Sequence, residues 1–198
     1  MRLYTKIGLA TAACFLTLAS AAAALTIIGT PGDDHIVGSR GEDQIRALAG
    51  DDKVRALAGK DTVKAGEGND RVGGGPGNDR MGGGSGDDVQ NGGPGNDLVL
   101  SGLGADTTSG GAGNDRLFGR AADDVNTPGV DFLDGGHGND RLRARDGEAD
   151  NILCGPGRDR AQLDETDVIV DATPGNPNGS CEVVRRAPPS GNETEPSL

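Results

Sequence analysis

The sequence predicts an all-β fold, a parallel solenoid of nine-residue units, from three observations. The first is phase. A glycine followed two places later by an acid recurs from Gly32/Asp34 through Asp43, Asp52, Asp61, Asp70, Asp79, Asp88, Asp97 and Asp106 to Gly113/Asp115, ten units without a slip. Such self-similarity at a fixed short period marks a repeat architecture, in which stacked units bury a shared core. The second observation is a row of aliphatic residues at one fixed place in the unit, and the third is a dense set of glycines at the places where the chain must turn.

With Gly68 at position 4 and Asp70 at position 6, position 8 reads Ile36, Ile45, Val54, Val63, Val72, Met81, Gln90, Val99, Thr108 and Leu117. Side chains alternate along a strand, so an inward position 8 leaves 7 and 9 facing water. Those places hold Arg46, Lys53, Arg55, Lys64, Arg71, Arg80 and Arg116, which read as a solvated face. Each unit is then a glycine-rich turn of about six residues followed by a strand of about three. After Asp115 the pattern frays at Asp124, breaks at an insertion near 125–134 within ADDVNTPGVDFLD, and resumes at Asp140, Asp150 and Asp159. The repeat domain is read as 25–170.

The turns carry the chemistry. Glycines at positions 1, 2 and 4 (Gly74, Gly75, Gly77; Gly83, Gly84, Gly86; Gly92, Gly93, Gly95) allow positive φ and close backbone approach. Two units per full winding stack Asp52, Asp70, Asp88 and Asp106 on one edge, and Asp61, Asp79, Asp97 and Asp115 on the other, about 4.8 Å apart. Neighbouring carboxylates at that spacing repel by roughly 1–3 kcal/mol, so a cation between rungs is expected. Oxygen donors in a carbonyl-rich loop suit calcium better than magnesium.

The phrases GGPGND, GGSGDD, GGAGND and GGHGND resemble the GGxGxDxUx nonapeptide of the RTX, or haemolysin-type, calcium-binding repeat family. The resemblance spans roughly residues 29–162. It implies a parallel β-roll with several calcium ions held in its turns by turn carbonyls and by Asp70, Asp79, Asp88, Asp97, Asp115 and Asp140. The same acid stands at Asp34, Asp43, Asp52, Asp61 and Asp106, although units 47–55 and 56–64 lack the first two glycines of the pattern. The best-known members carry a large catalytic or pore-forming part and leave the cell through a C-terminal signal; this chain differs from them in how its N-terminus reads.

Its N-terminus instead reads as a secretory leader over residues 1–24: a basic start, an apolar stretch and an alanine run, cleaved after Ala24. The stretch is shorter than the roughly 20 residues a membrane span needs, so a released, extracellular protein without a membrane anchor is expected. Cys14 leaves with the leader, and Cys154 and Cys181 remain as a disulfide pair for an oxidising compartment. Residues 171–198 read as a segment tied down to about 181, then a disordered Pro-, Glu- and Ser-rich tail from Arg185. A net charge of −12 disfavours nucleic acid and anionic membranes as partners. Isolated His35 and His137 read as solvated residues, and no HExxH, GxSxG or phosphate-loop motif points to an enzyme. The aliphatic core is thin for its length, so metal binding is expected to supply folding free energy. The alternative is a structural or adhesive spacer, facing an unidentified cell-surface partner, that calcium only stiffens.

Overall fold

In a computed structural model, the chain is described over Tyr4–Lys6 (backbone only), 23–119, 129–173, 175–176 and 179–188. Among these residues there is no helix, and none therefore long and apolar enough to cross a membrane. The strands form two parallel sheets that the chain visits alternately, winding through about eight turns. The larger sheet stacks β1 (Tyr4–Lys6), β2 (Thr26–Ile28), β4 (Gln44–Ala49), β6 (Thr62–Glu67), β8 (Arg80–Ser85), β10 (Leu98–Leu103), β12 (Arg116–Phe118), β14 (Arg141–Ala144), β16 (Arg160–Leu163) and β18 (Val183–Arg186). The smaller stacks β3 (His35–Val37), β5 (Lys53–Arg55), β7 (Arg71–Gly73), β9 (Val89–Pro94), β11 (Thr107–Ala112), β13 (Phe132–His137), β15 (Asn151–Leu153) and β17 (Val168–Ile169). Register follows the period: Ile45 pairs with Val63, Val63 with Met81, and Met81 with Val99, each two units on.

Many strands are longer than the three residues expected. β6, β8, β9 and β11 run six residues, across positions 7 to 9 and on through 1 to 3 of the next unit. The reason lies at position 1, whose side chain also faces inward. Ala47, Ala56, Ala65, Ser101, Ala144, Cys154 and Leu163 are all buried there, forming a second core row beside position 8. The ladder stays intact through position 2 because its residue takes positive φ, as at Gly75 (97°) and Gly84 (121°).

The position-8 row is buried throughout, including its two polar members. Gln90 donates from Nε2 to Leu100 O at 3.1 Å, and its Oε1 accepts from Thr108 Oγ1 at 3.2 Å. The Thr108 hydroxyl also lies 3.0 Å from Ser101 Oγ. These groups satisfy one another, as buried polar groups must. They lie between one apolar cluster that runs from Ile27 to Val99 and another that runs from Leu117 to Cys181.

Three expected boundaries shift. The insertion is narrower than 125–134, because Asp131 and Leu133 already occupy positions 6 and 8 and β13 begins at Phe132. The extra length falls between Phe118 and Gly129; Asp124 lies outside the described residues. The roll does not end at 170, and the tail does not loosen at Arg185. Val183–Arg186 pairs with β16, and Arg186 Nη1 donates to Asp164 O at 2.8 Å and Asp167 O at 3.0 Å. Cys154 and Cys181 are bridged, Cα atoms 5.2 Å apart, which fastens this last strand's approach to the position-1 core row. A link closing a loop of this length contributes about 3 kcal/mol. Most of residues 1–24, where a leader is expected, lie outside the described residues, but Tyr4–Lys6 pairs in parallel with Thr26–Ile28.

Candidate metal centre

The acids at position 6 form two ladders, one on each edge of the roll. On the first, the backbone N–H of Asp34 donates to Asp52 Oδ1 at 2.7 Å, Asp52 to Asp70, Asp70 to Asp88 and Asp88 to Asp106. It continues through Asp131 and Asp150 to Asp167. On the second, Asp43 donates to Asp61, Asp61 to Asp79, Asp79 to Asp97, Asp97 to Asp115, Asp115 to Asp140 and Asp140 to Asp159. Asp159 N in turn donates to the Glu182 carboxylate. The edge assignment read from the 18-residue alternation is the one observed. Asp131, Asp167 and Glu182 are rungs the sequence reading left out.

One oxygen of each carboxylate is thus spent on a backbone N–H, and the other is the point of interest. The Oδ2 atoms of Asp52, Asp61, Asp70, Asp79, Asp88, Asp97, Asp106, Asp115, Asp140, Asp150 and Asp159 are buried and accept no hydrogen bond. A buried carboxylate oxygen without a donor is costly unless a proton or a cation meets it. Burial accordingly pushes these carboxyls above their ordinary value: to about 6 at Asp52, Asp79 and Asp115, about 7 at Asp61, Asp97 and Asp140, and about 8 at Asp88 and Asp150. Backbone N–H bonds pull the other way and are outweighed, while charges on neighbouring rungs add to the rise at Asp88. Burial, with charges on Asp106, Asp150 and Asp146 adding to it, pushes Asp131 up to about 10.

Glycine at position 1 completes the cradle. A Cβ placed on Gly74 would stand 2.5 Å from Asp79 Oδ2 and 2.7 Å from Gly92 O, and one on Gly110 would stand 2.5 Å from Asp115 Oδ2 and 2.6 Å from Gly135 O. The same pair, orphaned carboxylate oxygen and next-layer carbonyl, borders Gly83 and Gly92. Position-1 glycines therefore keep clear a place where hard oxygen atoms converge. Gly75, Gly77, Gly84, Gly86, Gly93 and Gly95 contribute differently, through positive φ and close stacking of their carbonyls between layers. Among the described residues no three His, Cys, Asp or Glu side chains converge on one point. Each cradle offers acid oxygen surrounded by backbone carbonyls, a donor set that fits calcium, which takes several oxygens in flexible geometry.

Two of the expected ligands differ from the rest. Asp43 is fully served by the protein: Oδ1 accepts from Leu25 N (2.7 Å) and Ser39 Oγ (3.0 Å), and Oδ2 from Ser39 N (2.5 Å). Asp34 Oδ2 likewise accepts from Thr30 N and Thr30 Oγ1. Position 2 is Thr30 or Ser39 in these units, so its hydroxyl and N–H close the end of the ladder. At the far end Asp164 is met by Gly147 N, Thr166 N and Thr166 Oγ1.

A second ladder runs at position 5. Asp51, Asn69 and Asp87 each accept from the backbone N–H two units on, at 2.7–2.9 Å, and so do Asn78, Asn96 and Asn114. These exposed side chains hold the layers in register around the cradles. The recurrent Asn before Asp was the available signal.

Against known proteins, the family model of the RTX calcium-binding nonapeptide repeat (4 copies) matches residues 28–63, 55–90, 74–108, 102–125 and 127–148. No curated protein matches the chain. With orphaned aspartate oxygens, position-1 glycines and the family match coinciding along the same turns, the chain belongs to the RTX calcium-binding nonapeptide repeat family.

Proposed function

We propose that the chain is an exported calcium-binding protein whose roll is completed by several calcium ions, and that its activity is this calcium-responsive folding. The observation that carries the proposal is the row of eleven buried, orphaned aspartate oxygens. Without a cation these groups must keep protons or remain uncompensated, and either weakens the fold at neutral pH. Asp52, Asp61, Asp70, Asp79, Asp88, Asp97, Asp106, Asp115, Asp140, Asp150 and Asp159 would hold the ions with position-1 and turn carbonyls. Asp34 and Asp43, whose oxygens already have donors, would cap the ladder. Bound calcium supplies positive charge that lets the carboxyls give up their protons. The residues supply rigid spacing, exclusion of water and the carbonyl frame.

Far-UV circular dichroism in chelator, followed by titration with calcium and separately with magnesium, tests the reading. A coil spectrum that turns to β with calcium and not with magnesium is expected. A β spectrum in chelator that neither ion changes would contradict it. Export is tested apart from folding: a secreted product beginning at Leu25 is expected, and a product retaining residues 1–24 would contradict it.

A further inference from the structure

Asparagine is followed directly by glycine twice in this chain, at Asn91 and at Asn178. Asn178 lies outside the described residues. Asn91 stands at position 9 of β9 and is exposed, and Gly92 after it is the buried position-1 glycine of the next unit. The pair is thus set where a strand passes into a metal turn. β9 is a central strand, with Asn91 paired to Gly73 on one side and to Ser109 on the other. The Asn91 carbonyl accepts from Gly74 N at 2.9 Å, and the Gly92 carbonyl accepts from Gly75 N at 2.9 Å.

An asparagine amide before a glycine is open to attack by the chain itself, because no side chain shields the following nitrogen and the glycine backbone turns freely. The Gly92 nitrogen bonds to Asn91 Cγ, the Cγ–Nδ2 bond breaks, and Nδ2 leaves as ammonia with the proton from Gly92 N. Water then opens the cyclic imide. Breaking its Cγ–N bond gives aspartate. Breaking the bond from that nitrogen to the Asn91 carbonyl carbon gives isoaspartate, in which the main chain runs through Cβ and Cγ. Ring closure needs the Gly92 nitrogen swung over Cγ, and the extended backbone of a parallel strand, with ψ about +115°, holds it away. The folded roll therefore blocks a reaction that the open chain permits. Asn69, Asn78, Asn96, Asn114 and Asn139 each precede an aspartate, whose side chain crowds the attacking nitrogen.

Isoaspartate at this place lengthens the wall of two cradles. Gly92 O is the carbonyl that a Cβ on Gly74 would meet at 2.7 Å beside Asp79 Oδ2, and a Cβ on Gly92 itself would lie 2.4 Å from Asp97 Oδ2 and 2.6 Å from Gly110 O. One more backbone carbon adds about 1.5 Å of chain, enough to put those oxygens out of register. We propose that Asn91 is a calcium-guarded self-modification site. Calcium holds β9 closed and the amide intact; a chain left open without calcium converts Asn91 to isoaspartate and loses the cradles of Asp79 and Asp97. The inference rests on the calcium-dependent folding proposed above. Because the change is covalent, Asn91 records time spent without calcium, and calcium that returns late meets a roll whose central turns no longer close.

The test holds the full chain for days at neutral pH in chelator, in calcium, and in chelator with urea, beside a synthetic peptide of residues 86–97. Peptide mapping reads the amide-to-acid mass gain at Asn91, an isoaspartate-specific methyltransferase reads the lengthened product, and circular dichroism of each sample reads the fold. In chelator and in urea Asn91 should react at close to the peptide's rate, and in calcium at least about tenfold more slowly, since only the opened strand reacts. After the wait in chelator, the wild-type chain should need on the order of tenfold more calcium to fold, while Asn91→Gln, which keeps an outward amide but closes no five-membered ring, should respond as when fresh. Freshly made Asn91→Asp, which carries the charge without the added carbon, should fold with calcium as the fresh wild type does. Reaction in calcium at the peptide's rate, a coil spectrum in chelator with Asn91 intact, or an isoaspartate-bearing chain that folds with calcium like the fresh one would each overturn the proposal. A β spectrum in chelator would instead bring down the folding reading, and the calcium guard with it.

Discussion

Residues 44–73 and residues 74–119 carry the same carboxylate ladders but fill the space between them differently. In the first stretch Ile45, Val54, Val63 and Val72 are joined by the methyls of Ala47, Ala56 and Ala65, so both inward rows are apolar. In the second, Met81, Val99 and Leu117 alternate with Gln90 and Thr108, and position 1 is Gly74, Gly83, Gly92, Ser101 and Gly110. Orphaned oxygens occur in both. Apolar burial offsets their cost in the first, each methyl-sized group being worth about 0.8 kcal/mol, whereas the second leaves open cradles and little apolar area. Calcium dependence should therefore rise along the roll, and the second stretch should be the part that metal folds.

The largest expected effect is of pH on the metal-free chain. The buried aspartates have folded values raised above their ordinary 3.8, so the folded state holds more protons than the unfolded state between about pH 4 and the raised values near 6–8. Stability is then greatest near pH 4 and is lost as pH rises through about 8, the reverse of an aspartate held by a salt bridge. Thermal melts in chelator should show this fall, and calcium should flatten it by taking the place of the protons. A metal-free stability that rises from pH 4 to 8 would break the account.

Next in size is the contrast of Asp97→Asn with Asp52→Asn. Removing the charge from the second stretch should raise the calcium concentration at mid-folding by on the order of tenfold or more, while the same change in the alanine-lined stretch should move it only about threefold or less. Equal shifts would erase the distinction between the regions. Smaller again are changes at position 1. Gly83→Ala would press a methyl against Asp88 Oδ2 and Ser101 O, costing roughly 1–3 kcal/mol as overpacking does and weakening the response to calcium. Ala56→Gly should cost about 1 kcal/mol of metal-free stability and make its stretch more calcium-dependent; denaturant titrations with and without calcium read both.

The smallest effect concerns the backbone. At position 2 the second stretch uses glycine, but the first places Leu48 at φ 94° and Leu57 at φ 84°. Left-handed conformation costs a side-chain-bearing residue roughly 1–2 kcal/mol, and Leu48 is exposed enough to lose little packing. Leu48→Gly should therefore stabilise the chain by up to about 1 kcal/mol in a denaturant melt, with no change in calcium midpoint.

Much of this was legible in the sequence because a strict nine-residue period leaves no freedom in register. Once Asp52 is two units from Asp70, the edge ladders and the position-8 row follow, and the structure has them where expected. The second core row was harder to see. Gly, Ala, Ser, Cys and Leu share position 1 without a common hydrophobic signal, yet each points inward because the strand continues past the unit's formal end. Asp131 was missed because the chain takes 25 residues rather than 18 to reach it from Asp106, although the acid of DFL stands two places before Leu133, as elsewhere. Arg185 and Arg186 read as tail because a Pro-, Glu- and Ser-rich sequence begins beside them; the partner strand β16 and the nearby disulfide decide the conformation of Val183–Arg186. The spare oxygen of each aspartate could not be read at all, since it depends on which donors three-dimensional stacking leaves within reach.

Hydrogen exchange of the intact chain, followed by mass spectrometry with and without calcium, tests the graded roll most directly. Peptides from 74–119 should be unprotected in chelator and strongly protected in calcium, while peptides from 44–73 should keep measurable protection in both. Uniform protection of the two stretches in chelator, or a gain in calcium confined to 44–73, would contradict the account.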